Sequence, residues 1–406
     1  MPQIPPKKQV LLRQVVMSIE PPQAMTRYWK AACAVICFLI LLSNVWTISR
    51  WNESRGVYDD ICYLRQAHLF QKFGLGGLDT NIVRDNDHYL SSKLKEIGYA
   101  AWSDPAMAPC HSVMPATQRR VMQYPPGTGF LLALFPAGFQ VIPLYVFANV
   151  IVFGFALLAI SYARSRSSIV VTACFGFLSI YLMINPTKAS YSMAPTMVIC
   201  AAAGFFTARL FCAGQMRHRI LLSALIGFLI GLAVNFRLPN LFLAFGYSLF
   251  FAGSFLLQRK RETFLQATTF GAACVLGLAP TLLANAINAG NPFATTYAGV
   301  DVTPPAFSLS VLRQYVTDMQ FVLLVLASGW TALVFRLRRE PGIRQTALVA
   351  AGNLAVNLAF FLSHPIFEPY YTVPVAMLSL WSLLFGSVRL PAGAIVEAGT
   401  MDHAAA

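Results

Sequence analysis

Charge is what this chain has least of. Of its 406 residues only 11 % are Asp, Glu, Lys or Arg, while 57 % are hydrophobic, and the mean hydropathy is +0.59. A soluble domain carries about 25 % charged residues. That deficit, with repeated apolar runs of ~20 residues, excludes an ordinary water-soluble domain and predicts a polytopic membrane protein. Internal repeats are also missing, so neither a solenoid nor a plain repeat transporter has support. The six histidines (His68, His88, His111, His218, His364, His403) show no paired metal-ligand spacing. No Gly-x-Ser-x-Gly, P-loop or dinucleotide fingerprint occurs.

Acids are scarcer than bases, 16 against 30, for a net charge of +14. The bases lie mostly in short loops between apolar runs, which is an orientation signal and not a nucleic-acid footprint. Six of the eight cysteines (Cys33, Cys37, Cys174, Cys200, Cys212, Cys274) fall inside apolar runs and read as small core residues. Cys62 and Cys110 share the one long polar loop; they pair if it faces an oxidising compartment, and two free thiols are equally allowed.

Residues 1–30 form a basic, proline-broken segment read as cytoplasmic. No signal-peptide cleavage pattern precedes the first apolar segment, 31–48, which is expected to be retained. Residues 49–141 form the long loop. Within it, apolar spacing from Asp60 to Phe73 predicts a surface-lying helix ended by Gly74, Gly76 and Gly77. A polar stretch follows, with Asp85, Asp87, His88, Asp104 and His111. The apolar run closing the loop, up to Phe139, is too short for a span and reads as an interfacial or re-entrant helix.

Further spans are expected near 142–163, 169–184, 195–213, 219–236, 240–257, 264–286, 315–335, 343–362 and 371–387. This makes an all-α transmembrane bundle of about ten spans over 31–387, followed by a cytoplasmic tail, 388–406. In this topology the cytoplasmic segments hold 18 Lys and Arg, whereas the short outer loops after the long one hold only Lys188, Arg237 and Arg313. The long loop is therefore expected on the outer face. With it go Asn185–Lys188, Phe236–Asn240, Gly290–Tyr297 and His364–Tyr371.

Adjacent carboxylates, Asp59 and Asp60, stand at the head of the long loop in Tyr58-Asp59-Asp60-Ile61-Cys62-Tyr63. One reading is a helix cap, since Asp is a good N-cap residue. The other is a catalytic base beside the bilayer. Tyr124-Pro125-Pro126-Gly127 closes the same loop, Gly231-Leu232-Ala233 leads to Arg237 and Pro239, and Gly290-Asn291-Pro292-Phe293 is followed by Tyr297. In order and position these motifs resemble the GT-C superfamily of polyprenyl-phosphate-sugar-dependent glycosyltransferases, particularly its protein-mannosyltransferase-like and aminoarabinose-transferase-like branches. The resemblance covers nearly the whole chain.

It implies an inverting transfer of a monosaccharide from a lipid-linked donor to an acceptor hydroxyl on a glycan, a lipid or a protein. Asp59 takes the catalytic position, with Asp60 supporting it or ligating a metal. A carboxylate that accepts the hydroxyl proton answers the weak nucleophilicity of an alcohol at neutral pH. The leaving phosphate needs fixed positive charge. Arg237, Lys188, Arg119 and Arg120 are the candidates, although Arg237 and Lys188 also fit snorkelling anchors and Arg119-Arg120 a contact with anionic lipid heads. Tyr63, Tyr124, Tyr297, His364 and Glu368 are candidate substrate contacts, Glu368 standing where relatives often carry a base and also fitting a plain helix-flanking residue.

No cofactor is expected. The loop Asn185–Tyr191 lacks the second acid of some relatives, so a divalent cation has no support. The chain is short for the superfamily and is expected in a bacterial inner membrane. Rival readings are a transporter or flippase for lipid-linked intermediates, which calls for ionisable groups at span centres, an O-antigen ligase or polymerase, and an inactive GT-C-like scaffold.

Overall fold

A computed structural model describes residues 23–52, 58–183, 190–297, 304–364, 366–368 and 370–388. The protein is a bundle of apolar helices with one structured loop region at one end. Helix α1 (Gln23–Ile48) starts earlier than the expected residue 31. It buries one stripe, Cys33, Cys37, Leu41, Asn44 and Ile48, and exposes Val35, Ile36, Leu39, Leu42 and Trp46. That three-to-four spacing is one helix face, and in a bilayer the exposed apolar side meets lipid.

The long loop holds α2 (Tyr58–Phe73), α3 (Tyr89–Glu96), a hairpin of β1 (His111–Val113) and β2 (Arg120–Met122), and α4 (Pro126–Ala133). Helix α2 is not the surface-lying helix that its apolar spacing suggested. Asp60, Arg65 and Gln66 are buried in it together with Ile61, Cys62, Tyr63, Leu64, Ala67, Leu69 and Phe70. The hairpin is likewise an addition to the expected all-helical pattern.

Arg65, fully buried, organises the loop. Its guanidinium donates to Thr80 O and Asn81 O at 3.0 Å each and to His111 Nε2 at 3.1 Å, with Asp85 at 3.9 Å. Cys62 and Cys110, left open by spacing, are joined as a disulfide across a Cα separation of 6.7 Å.

The remaining helices are α5 (Val141–Tyr162), α6 (Arg166–Leu182), α7 (Met193–Cys212), α8 (Met216–Val234), α9 (Phe245–Gln258), α10 (Arg261–Ala289), α11 (Leu309–Thr317), α12 (Met319–Leu337), α13 (Pro341–Ser363) and α14 (Val373–Ser387). Among the described residues, eight helical segments are long and apolar enough to cross a membrane, as expected of a multi-pass integral membrane protein; α6 and α14 are apolar but shorter. Two expected spans are built differently. The stretch near 315–335 is two helices broken at Asp318, whose carboxylate accepts Gln320 N–H at 2.9 Å and so caps α12. The stretch near 240–257 begins as a 3-10 segment, Leu238–Ala244, before α9.

Small residues and amides set the helix contacts, because apolar surface alone gives no preference inside a bilayer. Asn44 of α1 donates to Asn149 Oδ1 of α5 at 3.0 Å and to Ile180 O of α6 at 2.7 Å. Helices α8 and α10 pack through Gly227, Gly231 and Gly277, where an added Cβ would collide with the backbone of Phe270, Cys274 and Phe228 respectively. One turn beyond, Pro280 sits inside α10, and a helix-interior proline removes one ladder bond and strains its neighbours. Asn235 fills the gap. Its amide donates to Gly277 O at 2.6 Å, and its Oδ1 accepts Thr281 N–H at 2.9 Å and Thr281 Oγ1–H at 2.8 Å.

Candidate active site

Asn235 also faces the loop. Its backbone oxygen accepts Gly127 N–H at 2.7 Å, and a Cβ on Gly127 would lie 2.6 Å from that oxygen. Thr128 Oγ1 donates to Phe236 O at 3.2 Å. The turn that closes the long loop is thereby locked onto the segment carrying Arg237. Thr296 Oγ1 donates to Gln123 O at 2.7 Å and brings the Gly290–Tyr297 turn to the same place.

The side chains gathered there are mostly aromatic. Tyr63 of α2 stacks on Tyr124 with centroids 4.9 Å apart, and Tyr297 meets Tyr124 edge-on at 6.0 Å. The Tyr124 phenol lies in the field of the Asp59 carboxylate. Ser190 and Ser192, at the head of α7, share a hydrogen bond at 3.1 Å and lie beside the Tyr63 phenol. Burial, followed by the Asp59 charge and neighbouring phenols, pushes the Tyr124 phenol far above the usual range. Burial raises Tyr63 and Tyr370 as well. These phenols are neutral donors at physiological pH.

Arg237 is buried, 7 % exposed, and stacks over Tyr370 at 4.5 Å and Tyr371 at 4.7 Å; its Nη1 donates to Met193 Sδ at 3.8 Å. Among the described residues no carboxylate forms an ion pair with it. Burial works against its charge, and the ring faces of Tyr370 and Tyr371 stacked on it favour the cation. Tyr63 and Tyr370 each sense both Asp59 and Arg237, so the acid and the base share one cluster.

Asp59 and Asp60, though adjacent, do different things. Asp59 is half-buried in the aromatic cluster. Asp60 is 1 % exposed, and its Oδ1 accepts Tyr191 N–H at 3.1 Å. It therefore binds another segment of the chain, beyond any capping of its own helix.

Of the other candidates, the arginine pair falls elsewhere. Arg119 is exposed at the hairpin turn, and Arg120 begins β2 opposite Val113, in the electrostatic field of His111. Among the described residues neither makes an ion pair with a member of the Asp59 cluster. Lys188 lies outside the described residues. His364 is buried with its ring stacked on Phe360 at 5.4 Å and tilted to Tyr371 at 6.5 Å. Glu368 is half-buried and its backbone oxygen accepts Gln320 Nε2–H at 3.1 Å.

Among the described residues the one grouping with metal-ligand proximity is Cys62, Cys110 and His111. Sulfurs joined in a disulfide offer no thiolate to a metal, and His111 Nε2 already faces Arg65. Three contributors were not among the expected site residues: Asn235, and Tyr370 and Tyr371 of the final outer turn. Two signals pointed to them, a lone amide ending a span opposite a span with an internal proline, and paired tyrosines in the final turn. No known protein family, curated protein or solved structure matches this chain.

Proposed function

We propose that this protein is an inverting membrane glycosyltransferase of GT-C type, moving a monosaccharide from a polyprenyl-phosphate donor to an acceptor hydroxyl. In this reading it has ten spans, with the long loop on the outer face of a bacterial inner membrane and both termini cytoplasmic. The observation that carries it is Arg237: a buried guanidinium with no carboxylate partner among the described residues, in one aromatic cluster with Asp59. A buried cation without an anion is costly, and a phosphate arriving in the cluster would pair with it through charge-assisted hydrogen bonds.

The chemistry follows. Asp59 takes the proton of the acceptor hydroxyl as its oxygen attacks the anomeric carbon. The bond from that carbon to the phosphate oxygen breaks, its electron pair leaves with the phosphate, and Arg237 balances the added charge. A placed base of this kind contributes roughly 10²–10⁴-fold. Tyr63, Tyr124, Tyr297 and Tyr370 give neutral hydroxyls and aromatic faces to the sugar. Asp60, through Tyr191, holds α2 in register.

Transfer from radiolabelled polyprenyl-phosphate hexoses and pentoses, in membranes holding wild type or Asp59→Asn, tests this. Asn keeps the size and an acceptor oxygen but cannot take the proton. Label moving with wild type and falling by about 10²-fold or more in the variant at equal expression is the expected result, and the labelled product names the acceptor. Equal transfer by both proteins removes Asp59 as the base, and no transfer from any donor favours a flippase or an inactive scaffold.

A further inference from the structure

Away from the Asp59 cluster, the long loop forms a half-open cavity of about 480 Å3. Its apolar lining includes Leu90, Leu94 and Trp102, and its polar lining includes Asp85, His88 and Asp104. The size lies in the range of small-ligand sites, ~300–1,000 Å3. Helix α3 builds one wall because Leu90 and Leu94, four apart, face inward together. The opposite wall is the turn around Asp104, whose carboxylate accepts Ala106 N–H at 2.8 Å and fixes the 3-10 turn beginning at Pro105.

The polar lining restricts the ligand. No Lys or Arg lines the cavity and two carboxylates do, so an anionic guest such as a phosphate or a uronate meets like charge there; of the cations beside the lining, Arg65 faces Asp85 and Lys95 sits on the Trp102 ring. Asp85 is committed to Leu90 N–H at 3.0 Å and lies 3.9 Å from Arg65, so its charge is already balanced. A hard cation wants several oxygen ligands, and most of this wall is hydrocarbon. What remains is a neutral guest that donates hydrogen bonds to carboxylates, which only accept, and that offers an apolar face to an indole. Trp102 is 38 % exposed, and the Lys95 ammonium lies 4.9 Å from its ring centroid and holds the indole in place. A sugar ring has those properties, with hydroxyls around its edge and C–H bonds across its face.

We infer that this cavity is a binding subsite for a neutral saccharide, separate from the Asp59 cluster. Ala108, on its lining, precedes Cys110 by two residues, and Cys110 is bonded to Cys62 in the first turns of α2. A glycan held here is therefore fastened to the same helix that carries Asp59, which suits the distal sugars of an acceptor. That acceptor role rests on the proposed transfer, whereas saccharide binding itself does not.

The test uses the purified full-length chain in lipid nanodiscs on an array of immobilised neutral oligosaccharides, with uronate-bearing and phosphorylated glycans as comparators. Wild type is expected to be retained on neutral glycans in preference to the anionic ones. Trp102→Ala lowers that retention by about tenfold or more, Trp102→Phe restores most of it, and Asp104→Asn, which keeps the capping oxygen, weakens it. Asp59→Asn still binds. The proposal is overturned by a wild type that retains no neutral glycan, by retention that Trp102→Ala and Asp104→Asn leave unchanged, or by retention lost in Asp59→Asn. Trp102-dependent binding with no transfer from any donor leaves the subsite standing and overturns the transferase reading.

Discussion

Asp60 Oδ1 accepts the backbone N–H of Tyr191 at 3.1 Å, across 131 positions of sequence. The bond ties the first turn of α2 to the segment leading into α7, and it is buried on both sides. Tyr191 is in turn met by Trp51 Nε1–H at 3.3 Å and by the edge of Tyr145 at 6.3 Å. Asp60 thus positions the helix on which Asp59 is carried.

Replacing Asp60 separates that role from chemistry. Asp60→Ala leaves a buried N–H without its acceptor, which costs about 1–3 kcal/mol. The expected result is a lower melting temperature in detergent together with reduced transfer, while Asp60→Asn, which keeps an acceptor oxygen, recovers most of both. Full stability in Asp60→Ala would contradict the assignment.

Arg237 is expected to act on the donor. Arg237→Lys keeps the charge but loses the planar fork and its stacking on Tyr370 and Tyr371. A charge-assisted hydrogen bond is worth about 1.5–3 kcal/mol, so KM for the lipid donor should rise by roughly 10- to 150-fold. Acceptor KM should change little. An unchanged donor KM would make Arg237 a structural residue.

His111 makes the loop sensitive to acid. Burial, then the Arg65 charge beside it, lowers its pKa from 6.5 to about 3, with Nδ1–H donating to Pro109 O at 2.7 Å and Nε2 accepting from Arg65. A folded-state pKa below the unfolded one means that its stabilisation is fully present above pH 6.5 and is lost as pH falls from there toward about 3. Melting temperature between about pH 7 and pH 4 should therefore fall more steeply for wild type than for His111→Asn, which does not titrate. Parallel curves would remove His111 as the cause.

The disulfide should matter to the loop and little to the bundle. It closes a segment with a sequence separation of 48, and cross-links of this kind contribute about 2–4 kcal/mol. Cys62→Ser with Cys110→Ser, or reduction of wild type, is expected to make residues 79–122 sensitive to protease while the apolar helices stay protected. Equal protease patterns before and after reduction would show that the loop is held without the disulfide, by Arg65 and by Asn288 of α10, which accepts Thr80 N–H at 2.9 Å and donates to Leu78 O at 2.8 Å.

The apolar segments were legible because hydrophobicity is local. A run such as Val141–Tyr162 is apolar whatever it touches, and the expected boundaries near 142–163, 195–213, 219–236 and 343–362 lie within a few residues of α5, α7, α8 and α13. The break at Asp318 was missed because average hydropathy cannot register one capping bond. The burial of α2 was missed because its partners come from distant segments. Asp59, Tyr63, Tyr124, Tyr297 and Arg237 could be picked out one at a time; Arg119 and Arg120 could be picked out equally well, yet they sit on a hairpin outside the cluster.

The sequence by itself determined that this chain enters a membrane, where its long polar loop lies and which short loops carry proline, asparagine and aromatic residues. Only the tertiary structure decided which of those loops meet. Thr128 reaches Phe236 across 108 positions, and no local propensity encodes that contact. It depends on α8 and α10 approaching through Gly227, Gly231 and Gly277, and on Asn235 repairing the ladder beside Pro280 while its backbone holds Gly127. Inside a bilayer, apolar surface gives helices little preference for one neighbour over another, so close glycine contacts and a few buried amides select the arrangement.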